Sequence, residues 1–261
     1  MIGTVSATDA NDISVNDSFD SIQNLIDESS AGDSVYLDGK TYVGNGSAIK
    51  INKDISIYGS NTSKTILNAN YNSNILVISK NVNVNLFGLT FINGKTTKNG
   101  GAIDNAGNLV ISGCCFTGNT AYNYDKGRVN GDGGAINNDG TLVISNSEFL
   151  NSYSYNGGAI RGQKNSLITA TNCSFLDNAA TYGASIDAYF ANSKIINCTF
   201  INSKSHKAGQ STIDSANFCL LILFLSTILQ HVVVESITIE DIWKFSIHSF
   251  IQIPSLIWVV V

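Results

Sequence analysis

Charge is what this sequence has least of: 13% of its 261 residues are Asp, Glu, Lys or Arg, about half the usual share of roughly 25%. Arg128 and Arg161 are its two arginines, and 15 Lys+Arg stand against 20 Asp+Glu. Such a chain has no basic face to offer a nucleic-acid backbone, which removes nucleic acid as a partner. Its three His and five Cys lack C-x-x-C spacing, which argues against a zinc module. Proline is nearly absent, and the single one, Pro254, lies close to the C-terminus. Turns elsewhere must therefore come from other residues.

What fills the space is Asn, with 32 copies, and Gly, with 23, in a chain that is 43% hydrophobic and carries a net charge of −5. High apolar content with small net charge describes a folded chain rather than a disordered one. Composition changes twice. Residues 1–16 have no positive n-region and no apolar run, but Val5-Ser6-Ala7 has the small-residue pattern of a signal-peptidase site, so they read as a leader remnant or linker. After Asn217 no Asn occurs, the last Gly is Gly209, and Trp243, Trp258 and Pro254 all fall in the apolar remainder. Asn codons read one base later begin with AT and encode Ile or Met. The Ile-rich segment 217–261 therefore reads as a frameshifted or unrelated tail, with a membrane anchor over 218–261 as the alternative.

Between these breaks the chain repeats. Gly100-Gly101-Ala102-Ile103, Gly133-Gly134-Ala135-Ile136, Gly157-Gly158-Ala159-Ile160 and the altered copy Gly183-Ala184-Ser185-Ile186 each precede a short apolar strand. Each strand leads to a small residue and then Phe: Cys114/Phe116, Ser147/Phe149, Cys173/Phe175 and Cys198/Phe200, with Phe91 starting the series. The Phe spacings are 25, 33, 26 and 25, the long one reflecting an insertion at Tyr122–Asn130. A fixed period in this range marks a solenoid. Alternation at Leu109/Ile111 and Leu142/Ile144 is the period of a strand, which excludes helical-pair repeats.

The expected fold is all-β: over 17–216, a single-stranded right-handed parallel β-helix of about seven coils, with strands about 4.8 Å apart. One Phe per coil stacks on the next. The Asn residues that follow (Asn93, Asn119, Asn151, Asn178, Asn202) form an amide ladder. The Gly-Gly pair makes a corner that needs positive φ or close backbone approach. Ser18 caps a helix to Glu28 carrying Phe19, Ile22, Leu25 and Ile26 on one face, and this helix lids the otherwise open strand edges at that end. The other end has no comparable lid if the tail 217–261 is not native.

The Gly-Gly-Ala-Ile corners and Cys-x-Phe-x-x-Asn strands resemble the repeats of polymorphic outer-membrane proteins. With the lead-in Ile22-Gln23, Gly32-Asp33-Ser34-Val35 and Gly39-Lys40-Thr41-Tyr42, they are similar to Asn/Thr-rich adhesin-like surface proteins of archaea. The resemblance implies a pectate-lyase-like β-helix, secreted and displayed at the cell surface in contact with a host or neighbour. The chain departs from that family in its incomplete leader, its shortness and its tail.

Several motifs carry little chemistry. Gly88–Thr96 looks like a phosphate-binding loop but has five residues between its glycines where four are needed, and no helix follows. Cys114, Cys173 and Cys198 share the inward position of Ser147 and read as packing residues. A Cys173–Cys198 bridge would join adjacent coils, although parallel side-chain directions make it awkward. Cys115 points outward as a candidate reactive thiol. Asp104, Asp132, Asp139, Asp177 and Asp187 match no Ca²⁺-loop spacing and are explained by turn chemistry. Acceptor sequons for N-glycosylation occur at Asn16, Asn45, Asn61, Asn172 and Asn197, the last two at coil corners.

Function is expected to be non-enzymatic, with no catalytic residue, cofactor or metal assigned: an adhesin-like surface protein contacting glycans or other cells. Loops on one side of a solenoid are its usual binding face, so Tyr122, Tyr124, Tyr153, Tyr155 and Tyr182, read as loop residues near the Gly-Gly corners, are the candidate contacts. The alternatives are a polysaccharide lyase or hydrolase, which the lack of a paired-carboxylate motif disfavours, and a truncated product without function.

Overall fold

The computed structural model describes residues 4–6, 17–125, 128–207 and 212–213. The expectations for 217–261, and for 1–3 and 7–16 of the leader stub, lie outside the described residues. The chain winds into a right-handed parallel β-helix of about six turns with one short helix. One coil shows the plan. Asn108–Ser112 belongs to an eight-stranded long sheet, Cys115–Thr117 to a seven-stranded Phe sheet, Thr120–Ala121 to a five-stranded short sheet, and Ile136–Asn138 to a seven-stranded Ile sheet.

Register is held without a slip from coil to coil. Ile111 pairs with Leu86 below and Ile144 above, and Ile103 pairs with Leu76 and Ile136. Like side chains therefore sit over like. Phe91, Phe116, Phe149, Phe175 and Phe200 form one buried column, with adjacent ring centroids 4.7, 4.7, 4.9 and 4.8 Å apart and planes within 8° of parallel. The spacing is that of the strands themselves, so backbone pairing and ring stacking reinforce each other.

The Gly-Gly corner uses its two residues differently. The first of each pair, Gly100, Gly133, Gly157 and Gly183, has φ of 64–67°, where a Cβ is strained. The second has no such φ, but a Cβ on Gly101, Gly134 or Gly158 would lie 2.0–2.1 Å from a carbonyl oxygen of the next coil. Ala184 is the last of this column among the described residues, and the altered copy of the motif carries a methyl group there.

The asparagines divide into two columns rather than one ladder, correcting the expectation. Asn93, Asn151 and Asn202 stand two residues after Phe, at a left-handed corner shared with Gly118 and Asp177. Asn119 and Asn178 stand three residues after Phe and are fully buried. Asn119 donates to the Phe91 carbonyl (3.0 Å) and accepts from the Gly94 amide (2.9 Å), while Asn178 does the same for Phe149 and Ser152 (2.9 and 3.0 Å). Each reaches one coil down, over a residue too small to compete for the space.

The helix Phe19–Glu28 covers the N-terminal end. Ser18 and Ser21 form a reciprocal capping box, and Phe19, Ile22 and Ile26 are buried. Its last turn has no basic residue of its own. Lys53 supplies one from the next coil, donating to the carbonyls of Ile26, Asp27 and Ser29 at 2.8–3.1 Å. At the opposite end, Thr212–Ile213 pairs antiparallel with Ile186–Asp187, closing part of the edge that was expected to lack a lid.

Candidate functional site

The five candidate tyrosines lie beside the Gly-Gly corners, but four of them, all except Tyr122, are on strands. Tyr153–Asn156 and Ala179–Tyr182 belong to the short sheet, where alternation turns Ser154 and Ala180 inward and Tyr153 and Tyr155 outward, and Tyr182 ends its strand in register with Asn156. The insertion is an antiparallel hairpin, Asn123–Asp125 with Arg128–Asn130, and Tyr124 stands on it 69% exposed. Tyr122 and Tyr153 meet at 5.2 Å with a 43° tilt, and Tyr155 meets Tyr182 edge-on at 5.4 Å and 83°.

Beneath the hairpin lies a cavity of about 420 Å³ lined by polar side chains and Tyr155; Lys98, Asn99, Asp132 and Asn156 are among its walls. From Asp132 and Asn156 on its wall a continuous chain of side-chain hydrogen bonds crosses three coils. Asp132 accepts from Asn156 Nδ2 and Gln163 Nε2, each at 2.7 Å. Gln163 also donates to Asn137 Oδ1 (2.8 Å), and Asn137 Nδ2 donates to Asp104 (2.8 Å) and Asp139 (3.1 Å). Asn137 is fully buried although alternation turns it outward, so its face of the Ile sheet is the floor of a depression. Burial pushes the Asp104 carboxyl above its ordinary value, and the neighbouring Asp139 and Asp132 push the same way, while the Asn137 hydrogen bond opposes them.

One coil further on, Arg161 is buried in an ion pair with Asp187, and Tyr189 lies over the guanidinium at 4.6 Å. Tyr189 in turn meets Phe190 edge-on at 4.7 Å. Phe190 is 61% exposed with φ of 49°, an arrangement that bulky residues adopt only under strain. Tyr155 thus lines the cavity near the Gly-Gly corner, while Tyr189 and Phe190 follow the Ile-sheet strand Ile186–Ala188.

Of the aspartates once weighed as cation ligands, Asp104, Asp132 and Asp139 come together here. Asp187 is held by Arg161, and Asp177 makes a left-handed corner. Among the described residues no three His, Cys, Asp or Glu are placed to hold a metal ion, and no helix is long and apolar enough to cross a membrane. Gly88–Thr96 passes through two strands of the coil rather than wrapping a phosphate. Cys115 is half-buried and burial raises its thiol, with Thr117 hydrogen-bonded to it, which corrects the expectation of a reactive exposed thiol.

Two features escaped sequence reasoning. The amides Asn137, Asn156 and Gln163 carry no motif, and only the register of one coil on another joins them. An outward aromatic stack on the long sheet, Tyr36–Tyr58–Phe87, has centroids 5.0 and 4.7 Å apart and planes within 15° of parallel. Aligning its coils one on another would have revealed it. The chain matches no protein-family profile, no curated protein and no solved structure.

Proposed function

We propose that this β-helix is a non-enzymatic, adhesin-like protein displayed outside the cell, and that it holds glycan chains in the depression beside Tyr155. One observation carries the reading. Tyr155 lines a polar cavity and meets Tyr182 edge-on. A sugar ring offers an apolar C–H face and a rim of hydroxyls. It suits an aromatic side chain set together with amide and carboxylate partners, a few polar groups among apolar ones. Asn99, Asn156 and Asp132 supply those partners along the cavity wall. A volume of about 420 Å³ falls within the range of small-ligand sites, roughly 300–1,000 Å³.

A polysaccharide hydrolase is the second reading, favoured by the raised Asp104 carboxyl beside Asp132 and Asp139, since a general acid needs a carboxyl that holds its proton. Against it, both oxygens of Asp132 are engaged by amides. A lyase would need a basic residue at the site; Arg161 is committed to Asp187 under Tyr189, which leaves Lys98 on the cavity wall as the candidate for that role.

The test is titration of the full chain with neutral and acidic oligosaccharides, followed by calorimetry and by product analysis. Tyr155→Ala with Tyr182→Ala is expected to weaken binding at least tenfold with an unchanged circular dichroism spectrum and no cleavage in the parent. Binding that survives the double substitution overturns the site, and released oligosaccharide fragments overturn the non-enzymatic reading.

A further inference from the structure

Cys173 and Cys198 occupy one column in successive coils. Ser174 pairs with Thr199 and Phe175 with Phe200, so Cys173 lies directly beneath Cys198. Strands in such a pair are about 4.8 Å apart, inside the Cα separation of roughly 4.4–6.8 Å that a disulfide spans. Neither residue belongs to a strand. Each follows a left-handed corner, Asn172 or Asn197, in the turn between the long and Phe sheets. The two side chains repeat one orientation from coil to coil, so a bridge requires one thiol to turn about its Cα–Cβ bond, which no ladder hydrogen bond of its own residue prevents. Each thiol now donates to the carbonyl two residues back, Thr171 or Ile196, at 3.3 Å.

We infer that Cys173 and Cys198 close to a disulfide in an oxidising thiol–disulfide pool, stapling the last two complete coils of the described β-helix. The same column singles this pair out, because Cys114 has Ser147 above it and Leu89 below, with no second thiol to join. The neighbouring Cys198 thiol lowers the Cys173 thiol and Cys173 in turn raises that of Cys198, so Cys173 is the first to ionise. Its thiolate attacks a small-molecule disulfide, releasing one thiol and leaving a mixed disulfide. The Cys198 thiol then loses its proton, attacks the Cys173 sulfur and expels the second small thiol. Two protein S–H groups are oxidised and one small disulfide is reduced to two thiols. Both residues are about 97% buried, so exchange proceeds when the terminal coil opens, and the finished bond holds that coil shut.

The experiment equilibrates the purified full chain with oxidised and reduced glutathione, blocks free thiols, and maps peptides without reduction. The expected result is a cross-linked peptide pair carrying Cys173 and Cys198, lighter by two hydrogens. A thermal midpoint several degrees above that of Cys198→Ser should accompany it, and the difference should vanish with dithiothreitol. Serine is a fair substitute because Ser147 already fills this column. Full alkylation of Cys173 and Cys198, or a cross-link from either to Cys115 or Cys219, overturns the inference.

Discussion

A Cβ built on Gly134 would stand 2.0 Å from the carbonyl oxygen of Gly158 in the next coil. The two backbones touch because the Ile sheet and the short sheet turn toward each other at this corner, with only hydrogen between them. Gly113 is the opposite kind of glycine. Its φ is 60°, and nothing lies within 4 Å of where a Cβ would be. One residue is required by space and the other by conformation.

Gly134→Ala is therefore expected to destabilise the chain by about 3 kcal/mol or more, because the neighbour it strikes is backbone that cannot rotate away. Gly113→Ala should lose roughly 1–2 kcal/mol from left-handed strain alone. Gly113→Asn should lose almost nothing, as Asn146, Asn172 and Asn197 already occupy that corner in later coils. Urea midpoints of the three variants check this; a Gly134→Ala protein as stable as Gly113→Asn would mean the coils are not in contact there.

The two asparagine columns make a second contrast. Asn119→Ala leaves the Gly94 amide and the Phe91 carbonyl without their buried partner, and each such group costs about 1–3 kcal/mol. Asn151→Gly changes only an exposed left-handed corner (φ 50°), and the expected change is about 0.5 kcal/mol or less. Equal losses on denaturant unfolding would return both residues to a single ladder.

This contrast also shows how far the sequence could be read. The β-helix was legible because Phe91, Phe116, Phe149, Phe175 and Phe200 recur with a period that only stacking of one coil on another can use. Ser18 likewise announced the helix through its capping pattern. Reading Asn93 and Asn119 as equivalent failed because a single residue of offset moves a side chain from a corner to the core. The depression was hidden for a related reason. Gln163 lies one coil away from Asp132 and Asn137, and nothing in their local sequence reveals that Gln163 reaches across to Asp132. Tyr155 and Tyr182 were legible as surface aromatics near the corner, but not their edge-on meeting.

Asp104 connects stability with function. Its folded pKa lies above the ordinary 3.8 through burial first, with Asp139 and Asp132 adding to the shift. A raised carboxyl contributes stability that is complete below the unfolded value and is lost as pH rises through the folded one. At neutral pH its charge is thus a net penalty. Asp54 is the reverse case: Asn83 donates from backbone and side chain and lowers it, so its contribution is present above 3.8 and lost as pH falls through the lowered value. Asp104→Asn keeps an oxygen to accept from Asn137 and removes the charge. It is expected to be more stable than the parent at neutral pH by about 1 kcal/mol at most, since water still screens this half-buried group. The advantage should shrink to nothing below about pH 4, where the parent's carboxyl is protonated in both states. Thermal midpoints across pH measure it, and a gap that does not vary with pH would remove Asp104 from the titrating groups of the depression. The same variant separates the two functional readings, because a binding groove keeps its glycan when Asp104 loses its charge, while a hydrolase that relies on its proton loses turnover.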